Sequence, residues 1–131
     1  HKTYLAIAHG KISSKIKTMQ DELILYEKDK KIIQKAVSHL RILKTADEYT
    51  LVELNPITGR KHQLRKQLYN IGNPILGDDK YFINQKFYKN KKNNKKLMLH
   101  AYKIKFIINN IKYNFKAKYS EEFEEFIKKT F

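Results

Sequence analysis

The sequence has no cysteine, no apolar run long enough to cross a bilayer and no signal-peptide pattern. The lack of cysteine excludes disulfide bonds and zinc sites built from cysteine ligands. A membrane-spanning helix needs about 20 apolar residues, and no segment of the sequence supplies them. A cytoplasmic protein without a membrane partner is therefore the expectation.

Acidic residues are scarce: 13 of them stand against 28 lysines and arginines, for a formal net charge of +15. Such a charge favours a polyanionic partner, with nucleic acid ahead of an anionic membrane. Codon bias is the alternative explanation, because 25 of the 28 basic residues are lysine and isoleucine and asparagine are abundant. Codon bias can explain why lysine is used in place of arginine. It explains less readily why basic residues greatly outnumber acidic ones, so nucleic acid is the expected partner.

Arginine is rare as well. Only Arg41, Arg60 and Arg65 occur, and the last two lie five residues apart. A guanidinium is a planar, forked donor that binds carboxylate and phosphate through paired hydrogen bonds. The segment that holds Arg60 and Arg65 is therefore a candidate site.

Apolar patterning predicts an α+β fold in a single partial domain over residues 1–131, with helices packed against a mixed, mostly antiparallel sheet. Strands are expected at His1–His9 and Leu23–Tyr26. A hairpin is expected from Ala36–Lys44 and Tyr49–Leu54. No domain boundary is expected between these segments, so they are predicted to belong to one domain.

The C-terminal part of the sequence predicts a second hairpin and a helix. Leu99–Ile108 and Ile111–Tyr119 alternate apolar and polar residues around Asn109-Asn110, which favours two strands with one buried face. Ser120 is a suitable N-cap for a final helix with an acidic first turn. Lys89–Lys96 is a low-complexity basic stretch, expected to be a solvated loop.

Thr58–Ile71 has helical periodicity. Leu64, Leu68 and Ile71 recur on one face and are expected to face the core. Gly72 suits the left-handed residue that ends a helix. The segment is therefore predicted to form one well-defined helix.

The first two turns of this predicted helix are crowded with cations. They are Arg60, Lys61, His62, Arg65 and Lys66. Cations at the positive end of a helix dipole cost roughly a few tenths of a kcal/mol each when exposed. A bound phosphate would reverse the sign of that effect, so an anion site is predicted here. A solvated basic face is the simpler alternative.

Three segments form an ordered set of motifs. Lys2–Gly10 reads KTYLAIAHG, Leu54–Tyr81 contains TGRKHQLR followed by IGNPILGDDKY, and Leu97–Phe106 contains LHA. They resemble the K-x-Y-x-A-x-x-x-G strand, the TGR-x-HQ-[IL]-R and IG-x-P-I-x-GD-x-x-Y segment, and the LHA strand of the RluA-type pseudouridine synthases. Their order is the family order. The resemblance identifies the chain as the C-terminal half of such a catalytic domain.

The resemblance implies an enzyme that isomerises uridine in RNA, detaching uracil from ribose and rejoining it through carbon 5 without metal or cofactor. Ribosomal RNA is favoured over transfer RNA. The family's essential aspartate lies in an H-R-L-D segment before the K-x-Y strand, and nothing in this sequence matches it. The chain is therefore expected to be inactive alone and to need the N-terminal half as partner. Asp78, in the ILGD loop, is expected to be structural.

Two residues take catalytic roles by resemblance. Tyr4 matches the active-site tyrosine whose ring packs on the target base and whose hydroxyl lies near the proton to be moved. Arg65 matches the basic residue that holds the catalytic carboxylate ionised. Without the motif, Tyr4 would be taken as an ordinary strand tyrosine. The two side chains are predicted to converge on one pocket.

The remaining predicted site residues are RNA contacts or pocket walls. They are Arg60, Lys61, His62, Gln63, Lys66, Leu99 and His100. A structural histidine is the alternative for His100. Lys61, Lys66 and Gln67 depart from the family pattern, which usually has threonine or serine, valine and histidine at these positions. The departures bear on RNA contacts.

Two other functions fit the same residues. One is a non-catalytic, basic RNA-binding module. The other is a metal-free ribonuclease built from His62, Arg65 and a tyrosine. Because the family's sheet continues into the N-terminal half, the chain is also expected to expose a strand edge and an apolar face, through which copies could self-associate.

Overall fold

The computed structural model describes residues 1–82 and 96–131. These residues form six strands and two helices. In chain order they are β1 (Lys2–His9), β2 (Thr18–Glu27), β3 (Lys30–Thr45), β4 (Tyr49–Pro56), α1 (Gln63–Asn70), β5 (Leu99–Ile108), β6 (Ile111–Lys116) and α2 (Glu121–Thr130). The predicted basic loop at Lys89–Lys96 lies outside the described residues except for Lys96.

All six strands join one sheet in the order β2-β3-β4-β1-β5-β6. Each neighbouring pair is antiparallel. The predicted α+β class, with helices against a mostly antiparallel sheet, is confirmed. Neither of the helices in the described parts is long and apolar enough to span a membrane.

The two helices cover opposite faces of the sheet, because successive residues of a strand point to opposite sides. Ser38, which hydrogen bonds to α1, lies on the same side as Tyr4 through the register of β3, β4 and β1. His100 pairs with Leu5, on the other side of β1, and packs its ring against Phe123 of α2. The face of Tyr4 is therefore the face that α1 covers.

The loop after α1 closes one end of the core. Ile75 and Leu76 are 0% and 1% exposed, and the Leu76 amide donates to the Ile7 carbonyl at 2.8 Å. Gly77 has a φ of +86°, and a Cβ there would lie 2.1 Å from the Lys96 carbonyl oxygen. Only glycine fits such a position. Ile75 and Leu76 therefore fill this end of the core.

The predicted helix Thr58–Ile71 was too long. Helix α1 begins at Gln63, and His62 precedes it with a left-handed φ of 52°. Arg60 and Lys61 therefore also lie before the helix, and the argument from the helix dipole applies only to the two cations within α1. Side-chain hydrogen bonds to β3, described below, hold the preceding segment in a turn.

The N-terminal hairpin was underestimated. The predicted strand Leu23–Tyr26 is the middle of the ten-residue β2, and β3 begins at Lys30 rather than at Ala36. Lys28 and Asp29 join the strands with φ values of 47° and 66°, as a tight two-residue hairpin turn requires. Charged residues interrupt the apolar pattern because β2 is an outer strand of the sheet.

The C-terminal hairpin is confirmed, but its predicted buried face was wrong. Asn109 and Asn110 form the turn, with φ values of 50° and 64°. Ile111 and Phe115 are 55% and 56% exposed, and β6 ends at Lys116. Both helices pack nearer the centre of the sheet, so this apolar face remains open among the described residues. Helix α2 begins at the predicted cap, Ser120, which accepts from the Phe123 amide at 3.2 Å.

Candidate functional site

A cavity of about 470 Å³ opens where β1, the end of β4 and the start of α1 meet. Tyr4 and Arg65, predicted to converge, both line it. Leu99 contributes a wall from β5, and Lys2 and Arg60 add positive charge. The volume falls within the range of roughly 300–1,000 Å³ common for small-ligand sites. It can hold a nucleotide-sized group beside a tyrosine and several cations.

Tyr4 is positioned by the centre of the sheet. Its backbone pairs with Leu54 on β4 and with Ala101 on β5. The register of β5 shifts between Thr3 and Tyr4, so a bulge lies beside the tyrosine. The ring is half-buried and packs against the core. One side of the ring is thus fixed by packing while another faces the cavity.

A hydrogen-bonded turn between β4 and α1 forms the opposite wall. The Thr58 hydroxyl accepts from the Val37 amide at 3.0 Å and donates to Gln63 Oε1 at 2.5 Å. Gln63 Nε2 donates to the Val37 carbonyl at 3.0 Å and to Ser38 Oγ at 2.7 Å. Gln63 is 4% exposed, and the nitrogen and oxygen of its side-chain amide form hydrogen bonds within the protein. Gln63 thus holds the turn against β3 and also lines the cavity, and its predicted RNA contact stays a prediction.

The same turn fixes Arg60 at the rim of the cavity. Its amide donates to Gln63 Oε1 and its Nε donates to the Lys35 carbonyl, both at 3.0 Å. Lys61 is exposed and lies outside the cavity lining. Lys66 is half-buried, with Nζ 6.0 Å from the ring centroid of Tyr81, and also lies outside the lining. Of these three predicted contacts, the cavity therefore gathers only Arg60.

Arg65 is held by a buried carboxylate from its own chain. Its Nε and Nη2 donate to Asp78 Oδ2 and Oδ1 at 2.9 and 2.8 Å. The Asp78 side chain is 0% exposed and that of Arg65 is 17% exposed. Among residues 1–82 and 96–131, the Nη1 group of Arg65 donates no hydrogen bond, so this edge can serve a second acceptor. Asp78, which was expected to be structural, fixes the arginine in place.

The Asp78 carboxylate is kept ionised by its donors. Burial acts to raise its pKa, but hydrogen bonds from Arg65 and from the amides of Tyr81 and Lys80 outweigh burial and lower the pKa below its ordinary value. The two amides lie 2.9 and 3.0 Å from Oδ1. The result is a charged pair at the cavity wall that remains intact at neutral pH.

His62 joins this pair through Tyr81. The left-handed backbone of His62 places its Nδ1 3.1 Å from the Tyr81 hydroxyl, and the Arg65 guanidinium lies 5.1 Å from the centre of the same ring. Burial, and then the charge of Arg65, lowers the pKa of His62. The imidazole is therefore neutral at pH 7. Tyr81 received no role from the sequence, although it ends the GD-x-x-Y motif.

Leu99 and His100 separate because they are neighbours on one strand. Leu99 lines the cavity, whereas His100 points to the α2 face. The His100 ring lies 5.5 Å from that of Tyr119 and 6.0 Å from that of Phe123. Its Nε2 is 3.4 Å from the Ala117 carbonyl. The alternative of a structural histidine is the one that the structure supports.

Acidic groups are missing from the cavity. The described parts contain all 13 acidic residues of the chain, and none of them lines the cavity. The walls thus offer an aromatic ring, an oriented arginine and further cations.

A family model described as RNA pseudouridylate synthase matches residues 1–70, which include Tyr4 and Arg65. The chain belongs to this family. Similarity to named relatives places it among the RluA-type synthases.

Two relatives and one solved structure illustrate the similarity. Ribosomal large subunit pseudouridine synthase C of Buchnera aphidicola subsp. Baizongia pistaciae is 36% identical over 115 residues, covering 80% of this chain and 36% of the relative. The tRNA pseudouridine synthase C of Haemophilus ducreyi is 35% identical over 97 residues, covering 61% of this chain and 40% of the relative. Human RNA Pseudouridylate Synthase Domain Containing 4 has the same fold, with a TM-score of 0.74 and 24% identity over 94% of this chain.

The chain is shorter than these family members. It spans 36% and 40% of the two named relatives and 59% of the human structure. The family and fold thus apply to the chain itself, while the complete synthases contain further residues.

Proposed function

We propose that this chain supplies the tyrosine and arginine side of the active site of an RNA pseudouridine synthase. The observation that carries the proposal is the convergence of Tyr4 and Arg65 on one cavity that is lined by cations and contains no acidic residue. The family's reaction needs an aspartate, so the carboxylate comes from polypeptide outside these 131 residues. The chain alone is inactive under this proposal.

The geometry divides the work between the two residues. Tyr4 provides a fixed aromatic surface against which a uracil drawn out of the RNA stack can pack. Asp78 fixes the guanidinium of Arg65 by accepting hydrogen bonds from Nε and Nη2, so that the Nη1 edge can bind the incoming carboxylate and keep it ionised. Lys2 and Arg60 at the cavity wall can bind the phosphates of the extruded nucleotide.

RNA is the proposed substrate, and ribosomal RNA is favoured. The relative that covers 80% of this chain is named for the large ribosomal subunit, while one that covers 61% is named for tRNA. The net charge of +15 suits either substrate. Activity on transcripts of both kinds distinguishes them.

A chimera tests the function. The segment of the Buchnera relative that aligns with this chain is replaced by the corresponding residues of this chain. Pseudouridine formation is followed by tritium release from RNA labelled at carbon 5 of uridine. We expect turnover by the chimera and none by the chain alone or by the remainder of the relative alone. An inactive, folded and RNA-binding chimera would favour the non-catalytic binding module.

Matched variants assign the residues within the chimera. Tyr4→Phe removes a hydroxyl near the moving proton and should slow turnover by at least about 100-fold if it acts in proton transfer. Tyr69→Phe makes the same change on an exposed tyrosine of α1 outside the cavity and should have no effect. Arg65→Lys should abolish the forked pairing and turnover, whereas Arg41→Lys, on an exposed ion pair elsewhere, should not.

Ribonuclease activity is the second candidate, because the structure brings His62, Arg65 and Tyr81 together. His62 Nδ1 lies 3.1 Å from the Tyr81 hydroxyl, a distance suited to proton transfer. Incubation of the purified chain with single-stranded RNA tests it. Cleavage that is lost in His62→Ala would support a ribonuclease, and intact RNA would eliminate this function.

A further inference from the structure

Tyr81 contacts the ion pair of Arg65 and Asp78 at two points, although it lies outside the cavity lining. Its backbone amide donates to Asp78 Oδ1 at 2.9 Å, and the same oxygen accepts from Arg65 Nη2. Its ring has the Arg65 Cζ atom over it, 5.1 Å from the ring centroid. The tyrosine therefore supports the carboxylate through its backbone and the guanidinium through its ring.

The ring restricts a motion that Asp78 leaves open. The carboxylate accepts hydrogen bonds from Nε and Nη2, which lie along one edge of the planar guanidinium of Arg65. Two hydrogen bonds along one edge leave the plane able to tilt about that edge. An aromatic ring against the guanidinium opposes the tilt, because the two groups attract each other. The direction of the third nitrogen, Nη1, thus depends on Tyr81.

His62 fixes the hydroxyl end of the Tyr81 ring. Its Nδ1 lies 3.1 Å from the hydroxyl, and the two rings meet at 73° with centroids 5.7 Å apart. His62 has a φ of 52°, which residues other than glycine rarely adopt. Such a backbone conformation persists where the surrounding contacts fix it, and it is common at functional sites. Tyr81 is thus held by one neighbour while it holds another.

The cations around Tyr81 make this support important for Arg65. The ammonium groups of Lys80 and Lys66 lie 5.6 and 6.0 Å from the same ring centroid. They repel the guanidinium, and Asp79, whose side chain is 98% exposed, compensates little at 3.9 Å from Nη2. The π electrons of the ring attract all three cations, so the arginine stays in place despite the repulsion.

We propose that Tyr81 is a positioning residue for Arg65, because its ring aims the Nη1 edge at the carboxylate that enters the cavity. The inference rests on the proposed function, which assigns that carboxylate to Arg65. It deepens that function by giving a role to a tyrosine that acts only through the arginine and contacts neither the RNA nor the reacting atoms.

Side-chain NMR of the 131-residue chain measures how firmly Arg65 is held, without RNA or a partner. The chain has three arginines and so gives three Nε–Hε signals, of which Arg65→Lys removes the one from Arg65. We expect a rigid Nε–Hε bond in the unsubstituted chain and in Tyr81→Phe, which keeps the ring. In Tyr81→Leu, which lacks the ring, the order parameter should fall below about 0.6. Tyr69→Leu makes the same change on an exposed tyrosine of α1 and should leave the signal unchanged.

The NMR result decides between the ring and its hydroxyl. An unchanged order parameter in folded Tyr81→Leu would overturn the inference, because the ring would then not hold the arginine. An equal fall in Tyr81→Phe would also overturn it, since the hydroxyl bond would be the feature that matters. Should the backbone spectrum show that Tyr81→Leu does not fold, Tyr81→Met provides the same comparison with an unbranched side chain.

Turnover by the chimera tests what the orientation of Arg65 does. Tyr81→Leu should lower kcat by about 10- to 100-fold, because a small misplacement of a positioned group has an effect of that order. KM should stay within about twofold, since the arginine serves the carboxylate and not RNA binding. Tyr81→Phe should retain kcat within about threefold, and Tyr69→Leu should retain it fully.

The pH profile of kcat separates positioning from a general loss of structure. A misplaced guanidinium favours the ionised carboxylate less, so the acidic limb of the profile should move to higher pH in Tyr81→Leu. A merely structural effect would lower kcat at every pH by the same factor and would contradict the inference. The matched variant Tyr69→Leu should keep the acidic limb where it is.

The two measurements distinguish failure of the inference from failure of the proposed function. If the unsubstituted chimera is inactive, the proposed function fails, and NMR still decides whether Tyr81 holds Arg65. If the chimera is active and Tyr81→Leu keeps its full kcat or changes only KM, the positioning role is refuted and the proposed function stands.

Discussion

The ion pair between Arg65 and Asp78 offers the sharpest test of how the site is built. Asp78→Asn preserves the shape of the side chain and an oxygen for the amides of Lys80 and Tyr81. It replaces Oδ2, the acceptor for Arg65 Nε at 2.9 Å, with an amide nitrogen that cannot accept. The substitution thus removes the charge and one hydrogen bond while keeping the loop.

The expected loss of stability follows from burial. Removing one partner of a buried ion pair costs about 3–5 kcal/mol, because the other charge remains uncompensated. The Arg65 side chain is 17% exposed at the cavity wall, so water can partly solvate it. We therefore expect the lower end, about 3 kcal/mol. Asp78→Ala should cost about 1–3 kcal/mol more, since the two amides also lose their acceptor.

Urea unfolding followed by circular dichroism measures both values. Asp79→Asn is the matched control, because its side chain is 98% exposed and lies 3.9 Å from Arg65 Nη2. It should leave the unfolding midpoint unchanged. If Asp78→Asn is as stable as the unsubstituted chain within about 0.5 kcal/mol, the buried pair does not hold the site as described.

The pH dependence of the same variant gives a second check. The folded-state pKa of Asp78 is lowered from its ordinary value near 3.8. The stability that its charge contributes is therefore fully present above pH 3.8 and is lost as pH falls through the lower folded-state pKa. The difference in stability between the unsubstituted chain and Asp78→Asn should be constant from pH 5 to pH 7, about one unit or more above that value, and should shrink in stronger acid.

Two further predictions concern residues in α1 and in the loop after it, which support the cavity. Gln67 is 0% exposed and hydrogen bonds to Ser38 Oγ at 2.6 Å and to one backbone carbonyl each of β2 and β3. Gln67→Leu should therefore lower the free energy of unfolding, measured in urea, by about 1–3 kcal/mol. An unchanged unfolding midpoint would show that these hydrogen bonds do not stabilise the fold. Gly77→Ala should destabilise far more than Gly72→Ala in thermal unfolding, because both have φ +86° but only the Gly77 position is crowded. Equal losses would show that crowding at Gly77 is unimportant.

The sequence predicted features that depend on local patterns. The Asn109-Asn110 turn and the Ser120 cap each have a local cause, and each occurs as expected. The convergence of Tyr4 and Arg65 was also anticipated, though from motifs and not from periodicity. Local chemistry and ordered motifs were therefore sufficient for the fold class and for the two central residues.

Features that depend on tertiary contacts were missed. The predicted start of α1 was too early because Gln63 binds β3, and helical periodicity cannot register bonds to a distant strand. The same contacts bury Gln63 at the cavity wall, which the sequence did not indicate. An exposed apolar face was expected because the family's sheet continues into the N-terminal half, but alternation along β6 could not show that the side of Phe115 is an open one.

The pairing of Arg65 with Asp78 joins a helix to a loop 13 residues later. The ILGD motif indicated a structural aspartate, but its partner became evident only in the folded chain. His62 and Tyr81 illustrate the same difficulty, because a left-handed residue before α1 determines where the imidazole points.

Photocrosslinking of a short RNA that carries a single 4-thiouridine tests the central claim most directly, since it reports where the base lies on the chain. After irradiation and digestion, mass spectrometry identifies the crosslinked residue. Crosslinks should map to the cavity walls, to Tyr4 or Leu99. Crosslinks confined to the α2 face, around His100 and Tyr119, would show that the cavity between Tyr4 and Arg65 does not receive the uracil.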